Sequence, residues 1–476
     1  MVSADNLIHE NLPGSFARLD RAEKSDDRLS KLISVGALLT LVFTALAFGA
    51  VESWSIAVFG FLVLILSLLW VAKAVSEKQM RIRIPATVWP IVALWVWGLL
   101  QTVSKQDETG KRFAVSLDVE ATRLALEVLG ILLAAFLIFA NFFASGKRLL
   151  WFRSFLVLFG LAMAVFGLVQ KFSWNGKYYW LIQPSTLPTS PFGSFVNHNH
   201  FAGYLEMIAP IGLAMIMVRS VYREIMIFYG FALVMMSVAV FLSLSRGGMI
   251  SLMAGLIFVV VFGAKSALER FRGEELQSRK PVILLQTLAV LLVVIAIAFG
   301  VIWTGGDEVL DRAREVEVKS ELRGADDSQQ GFFESREWIW RDTMAMIRAN
   351  WQMGVGLGAY ETAYPLFTKS NGSVIVSQAH NDYLQVVADC GVIGGVLAVW
   401  FLIVLFRDLR RAMSHHEKVM SGMALGCGGG LVALLVHSLF DFNLQLPSNA
   451  LLFLALVAVV SNIRLAAEKM RQARVG

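Results

Sequence analysis

Three groups of side chains in this sequence are of types that could do polar chemistry. The first is Ser377-Gln-Ala-His380-Asn381-Asp382-Tyr383-Leu-Gln385, an imidazole and its polar neighbours directly before an apolar run. An imidazole near a helix N-terminus is kept neutral by the dipole and can act as a general base, or it can simply cap the helix. The second is Arg336, followed by Trp340, Met344, Ile347 and Trp351. At 100° per residue these four fall at about 40°, 80°, 20° and 60° from Arg336, whereas Arg341 and Arg348 fall at about 140° and 120°. Arg336 therefore lies in line with the apolar stripe, in the first turn of a helix whose free amides favour anions. It is a candidate phosphate ligand, or else an arginine snorkelling at a membrane surface.

The third group is dispersed. Arg246 stands in Ser243-Leu-Ser-Arg246-Gly-Gly248 between two apolar runs, where it can meet an anion close to the membrane or anchor a tight turn. Asn197, His198, Asn199 and His200 are consecutive, with donors suited to sugar hydroxyls. As metal ligands His198 and His200 are weak, since no third ligand lies at a fixed local spacing. No Asp-x-Asp pair stands at an external membrane edge, so a bound phosphate would have to be neutralised by arginine rather than by a metal. Gly354-Val-Gly-Leu-Gly358 has glycines spaced somewhat like a dinucleotide loop, but no strand precedes it and no βαβ unit surrounds it, so its glycines are expected to turn the backbone against the bilayer.

The elements that must position these residues are membrane helices. Of 476 residues, 57% are hydrophobic and 16% charged, against roughly 25% charged in a soluble domain. Apolar runs recur near 32–51, 54–75, 86–104, 122–143, 149–170, 200–218, 225–244, 247–263, 281–303, 383–406, 418–438 and 446–465, each near the roughly 20 residues that cross a bilayer. The expectation is an all-α polytopic membrane protein of about 12 spans: an N-terminal segment 1–30, a transmembrane domain 31–465, a large loop 304–382 between spans 9 and 10, and a tail 466–476. With both termini cytoplasmic, roughly two thirds of the 42 Lys and Arg fall on the cytoplasmic side.

Residues 1–30 lack the apolar core and cleavage site of a signal peptide. The net charge of +6 is spread between spans rather than gathered on one face, which argues against a nucleic-acid partner. Cys390 and Cys427 both lie in apolar runs, so neither a disulfide framework nor a zinc site is indicated. The acids Glu127, Glu206 and Asp389 fall within spans and raise the question of an ion path, but they are scattered over separate helices.

Three pieces together resemble the O-antigen ligase and polymerase family of bacterial envelope glycan assembly. They are Gly193-Ser-Phe-Val-Asn197-His-Asn199-His-Phe-Ala-Gly203-Tyr-Leu, then Ser335-Arg336-Glu-Trp-Ile-Trp340 running on to Gly354-Val-Gly-Leu-Gly358, and then His380-Asn381 followed by Gly391-Val-Ile-Gly394. The resemblance covers roughly residues 192–465.

It implies glycan transfer from an undecaprenyl-pyrophosphate carrier at the periplasmic face of the inner membrane, without metal, nucleotide or other cofactor. His380, Arg336 and Arg246 match the family's histidine and arginines, as base and as pyrophosphate ligands. Asn197, His198, Asn199, His200, Asn381 and Tyr383 are expected around the substrate. The acceptor would be lipid A core for a ligase or a second lipid-linked glycan for a polymerase. A protein acceptor, or from a different class a 12-helix transporter, remains as an alternative. A transporter should show repeat symmetry and midplane substrate groups, whereas these residues collect at one face.

Every site assignment depends on orientation, so topology is the first test. A cysteine replacing Asp326 should react with a membrane-impermeant thiol reagent in cells with a permeabilised outer membrane. Labelling only after inner-membrane lysis would reverse the topology.

Overall fold

A computed structural model of the chain describes residues 28–80, 82–106, 112–183, 192–218, 223–270, 332–368, 375–415 and 417–475. Among these, ten helices are long and apolar enough to cross a membrane. In chain order the helices are α1 (Arg28–Leu46), α2 (Ser53–Ser76), the 14-residue α3 (Val88–Gln101), α4 (Val119–Phe142), α5 (Gly146–Phe172), α6 (His198–Met217), α7 (Arg223–Leu242), α8 (Arg246–Arg270), α9 (Phe332–Ala349), α10 (Asp382–Met413), α11 (Lys418–His437) and α12 (Pro447–Val475). The chain is an all-α multi-pass membrane protein, and each expected span other than 281–303 coincides with a helix. That span lies outside the described residues, as do 1–27 and the first part of the long loop. A small antiparallel ribbon pairs Lys105–Gln106 with Arg112–Phe113.

Burial separates the bundle's centre from its rim. Most of the apolar window is buried inside the protein for α6 (89%) and for α11 and α12 (78% each), but only 22% for α2. The central contact is close because α11 carries glycines along the face it presents to α6. A Cβ on Gly430 would sit 2.1 Å from the Met207 carbonyl oxygen. In lipid, where helices gain little from hydrophobic association, such backbone approach is what packing rests on.

Helix α10 breaks at Gly391, which has φ +64° and ψ −159°, a conformation open to glycine alone at low cost. A break in a spanning helix frees backbone groups that the bilayer cannot satisfy. Here the segment 351–358 satisfies them. Val355 N–H donates to the Ala388 carbonyl and Gly356 N–H to that of Asp389, both at 2.9 Å, while Val392 N–H donates to the Trp351 carbonyl at 2.8 Å. From α3, the Trp97 indole donates to the Cys390 carbonyl at 3.2 Å. The Gln101 amide donates to the carbonyls of Met353 (2.8 Å) and Asp389 (2.9 Å), and its oxygen accepts Leu357 N–H at 3.0 Å. The glycine loop is thus a plug between α3 and α10 rather than a turn lying against lipid.

Helix α9 covers the same end of the bundle. Its inward residues are Asp342, Thr343 and Met346, which join a small core with Val355, Tyr360, Ala363, Tyr364 and Ala379. Met344 and Trp351 of the expected apolar stripe are exposed. The buried face is rotated because two polar residues on it have partners. Tyr364 Oη donates to Asp342 Oδ2 at 3.2 Å, and Thr343 shares a hydrogen bond with the Tyr360 hydroxyl. Paired polar groups can be buried, which reading by hydropathy alone does not anticipate.

Gln101→Leu would leave the Met353 carbonyl and Leu357 N–H without their partner, at about 1–3 kcal/mol each, and would take from the Asp389 carbonyl one of its two donors. The detergent-solubilised variant should melt several degrees below wild type, whereas Thr102→Val, whose hydroxyl is exposed, should not. Equal melting of the two variants would sink the plug interpretation.

Candidate functional site

The turn 438–446 between α11 and α12 carries a buried carboxylate that gathers the polar residues at this end of the bundle. The His437 carbonyl accepts Phe440 N–H (2.7 Å) and Asp441 N–H (3.0 Å), which turns Asp441 inward. Its side chain is 1% exposed. Asp441 Oδ1 accepts Phe442 N–H at 2.9 Å and lies 3.3 Å from His380 Nδ1 and 3.9 Å from His200 Nε2. Oδ2 lies 3.7 Å from an Arg336 guanidinium nitrogen. The Phe442 ring meets both imidazoles edge-on, with centroids 4.8 Å from His200 and 4.9 Å from His380.

Burial by itself would raise the Asp441 pKa. The His380 hydrogen bond and the fields of His200, His380 and His437 outweigh it and hold the carboxyl well below the usual carboxylate range. For Arg336 burial lowers the guanidinium pKa and the Asp441 charge works against that. Arginine stays protonated in either case.

His380 arrives here because the head of α10 is laced to the same turn. Asn381 Oδ1 caps α10 by accepting Tyr383 and Leu384 N–H, both at 3.0 Å, and its amide donates to the Leu439 carbonyl at 3.0 Å. Asp382 N–H donates to the Ser438 carbonyl at 2.9 Å. The Asp382 carboxylate accepts Ser438 Oγ (2.8 Å) and Leu444 N–H (3.2 Å), and Tyr383 Oη donates to the Leu435 carbonyl at 2.7 Å. His380 itself adopts φ +48°, unusual for a residue with a side chain and held by these neighbours. From α9, the Trp340 indole donates to the Ala379 carbonyl at 3.0 Å, which sets the spacing between Arg336 and His380.

His200 is held from the other side. Asn197 caps α6 by accepting Asn199 N–H at 2.8 Å. The Asn449 amide donates to the His200 carbonyl (3.0 Å) and to Asn443 Oδ1 (2.8 Å).

Of the residues expected from sequence, the structure brings His380, Arg336 and His200 together on Asp441. Arg246 is exposed at the head of α8, which Ser245 caps by accepting Gly248 N–H at 3.0 Å. Its neighbour Gly247 lies against His437 and Phe440, so Arg246 borders the Asp441 turn. Asn199 is buried and His198 half-buried in the first turn of α6. Asn381 and Tyr383 spend their side-chain groups on holding α10. Of the intramembrane acids, Glu127 is exposed on α4, Asp389 accepts Gly358 N–H at 3.1 Å, and Glu206 faces His437. Among the described residues no group of three or more His, Cys, Asp or Glu could hold a metal ion.

Asp441 is the residue that reading the sequence missed. A signal was present: Asp441 and Asn443 fall between two apolar runs, and His437 and Asn449 stand at the adjoining ends of those runs, a polar density that a tight turn does not need. The resulting arrangement is a carboxylate–imidazole pair. With Nδ1 turned to Asp441, Nε2 is the nitrogen left to take a proton, and the His380 side chain is 29% exposed where its partner is closed off.

Residues 231–399 match the family model described as O-antigen ligase. No curated protein matches the chain. The matched stretch runs from α7 to the middle of α10 and carries Arg246, Arg336 and His380, while His200 and Asp441 join the cluster from outside it. Over this stretch, less than half of its length, the chain is similar to the O-antigen ligase family, and the whole is a multi-pass membrane protein.

Proposed function

We propose that this protein transfers a glycan from an undecaprenyl-pyrophosphate carrier to an acceptor hydroxyl at the periplasmic face of a bacterial inner membrane, as an O-antigen or surface-polysaccharide ligase or polymerase. What supports this reading most is the grip of Asp441 on His380 and Arg336: a base and a phosphate-binding cation set 3.3 and 3.7 Å from one carboxylate.

In this scheme His380 Nε2 takes the proton of the acceptor hydroxyl as its oxygen attacks the anomeric carbon. The bond from that carbon to the carrier's phosphate oxygen breaks, and the electron pair leaves with the pyrophosphate. Attack opposite the leaving group inverts the centre. Asp441 orients the imidazole and stabilises it once charged, as an orienting carboxylate does for other catalytic histidines. Arg336 and Arg246 stabilise the charge that develops on the leaving pyrophosphate, so no metal is called for. Asn197, His198, Asn199 and His200 border the floor beneath the sugar, while Asn381 and Tyr383 keep the head of α10 in register.

His380→Ala should reduce product per membrane-inserted protein by about 10²- to 10⁴-fold, the usual worth of a general base. Arg336→Lys should also be poorly active, because lysine does not reproduce a two-pronged donor. Arg341→Lys and Arg348→Lys, both on exposed positions of α9, should be near wild type. Product retained by the first two variants and lost in Arg341→Lys would defeat the assignment.

Turnover should persist in excess chelator. Loss that magnesium or manganese restores would instead return His198 and His200 to consideration as ligands. The acceptor is read from a deletion strain: unattached lipid-linked polymer marks a ligase, and single lipid-linked repeat units mark a polymerase.

A further inference from the structure

Six residues along α6 from His200, about 9 Å by helical rise, lies a second carboxylate with its own histidine. Glu206 and His437, the last residue of α11, are 0% and 1% exposed. The two carboxylate oxygens of Glu206 lie 3.0 and 3.1 Å from His437 Nδ1. The transfer scheme uses neither residue. Packing does not call for them either: apolar side chains of similar volume would fill the α6–α11 contact without the desolvation that two ionisable groups suffer there.

Two contacts and a shared helix connect the pair to the site. The His437 carbonyl accepts both amides that form the Asp441 turn. On the other edge of its ring, Nε2 faces Gly247, where a Cβ would lie only 2.9 Å away, and Gly247 directly follows Arg246. Glu206 shares α6 with His200. The charged or titratable groups around the pair are His200 from α6, Arg246 from α8, Arg336 from α9, His380 and Asp382 from the head of α10, and Asp441 from the turn.

We propose that Glu206 and His437 act as positioning residues for the transfer centre: the Glu206 carboxylate fixes the His437 ring, and His437 fixes both the turn that carries Asp441 and the head of α8 that carries Arg246. This rests on the reading of His380 and Asp441 as that centre. A carboxylate only accepts, so it holds the Nδ1–H tautomer in one orientation. An amide of the same shape can flip and has no charge, and releases that constraint. Because the pair touches the orientation of catalytic groups and not the carrier, its loss should appear in kcat rather than in KM.

The test uses full-length protein in nanodiscs with a synthetic undecaprenyl-pyrophosphate-linked oligosaccharide as donor, with initial rates taken over a range of donor concentrations. Glu206→Gln should lower kcat per folded molecule about ten- to a hundredfold, the usual effect of removing an orienting partner, with donor KM within about twofold. Gly247→Ala keeps both polar partners but crowds His437 Nε2, and should give the same split. It serves where Glu206→Gln yields too little folded protein. Wild-type kcat per folded molecule in either variant overturns the proposal, as does a loss carried by KM alone. His380→Ala run in parallel separates the two readings. If it stays active the transfer centre is misassigned, whereas if it is inactive while Glu206→Gln is normal, only the positioning role fails.

Discussion

The end of the bundle at which the long loop emerges is organised by one constraint: a carboxylate placed where water cannot reach it must be met by donors and cations. Asp441 is almost fully enclosed, and each group that answers its charge comes from a different part of the chain. His200 comes with α6, Arg336 with α9, His380 with the head of α10, and Phe442 N–H with the turn itself. Removing any one leaves the others to meet a buried charge in a medium of low dielectric, where an uncompensated carboxylate is far more costly than at a surface. The residues that would do chemistry are therefore also the ones that close this end of the fold.

The second feature is how little of the site is loose. Asn381, Asp382 and Tyr383 each bond to the stretch 435–444, and Trp340 bonds to the carbonyl next to His380. A histidine in a left-handed backbone conformation persists only where its neighbours over-determine it. The exposure that remains at His380 is then a directed opening onto an imidazole held on a fixed support.

The sequence made the class and the spans among the described residues legible, because hydrophobic run length acts locally. His380 and Arg336 were legible as types and as neighbours of a membrane edge. Asp441 was not, since its importance lies in what surrounds it: a lone acid in a short turn reads as solvated, and only the folding of α6, α9 and α10 around it makes it central. The apolar stripe on α9 misled for a related reason. Asp342 and Thr343 turn inward because Tyr364 and Tyr360, about twenty residues away, supply partners, and no helical wheel contains that information. The glycine loop follows no strand, which separates it from a nucleotide motif, but its fit against the break in α10 depends on Trp97 and Gln101, far off in the chain.

That long separation bears on how the molecule is made. At 14 residues α3 is short for a bilayer, and the carbonyls that its indole and amide satisfy belong to residues synthesised almost 300 positions later. Until α10 emerges, the first half of the bundle carries unsated donors inside the membrane, and α10 in turn cannot adopt its broken form without them. The stretch that bears the family match is consequently not an autonomous module. Cut out or grafted onto another membrane scaffold, it would bring His380 and Arg336 but neither the carboxylate they pair with nor the early helix that lets its own helix bend.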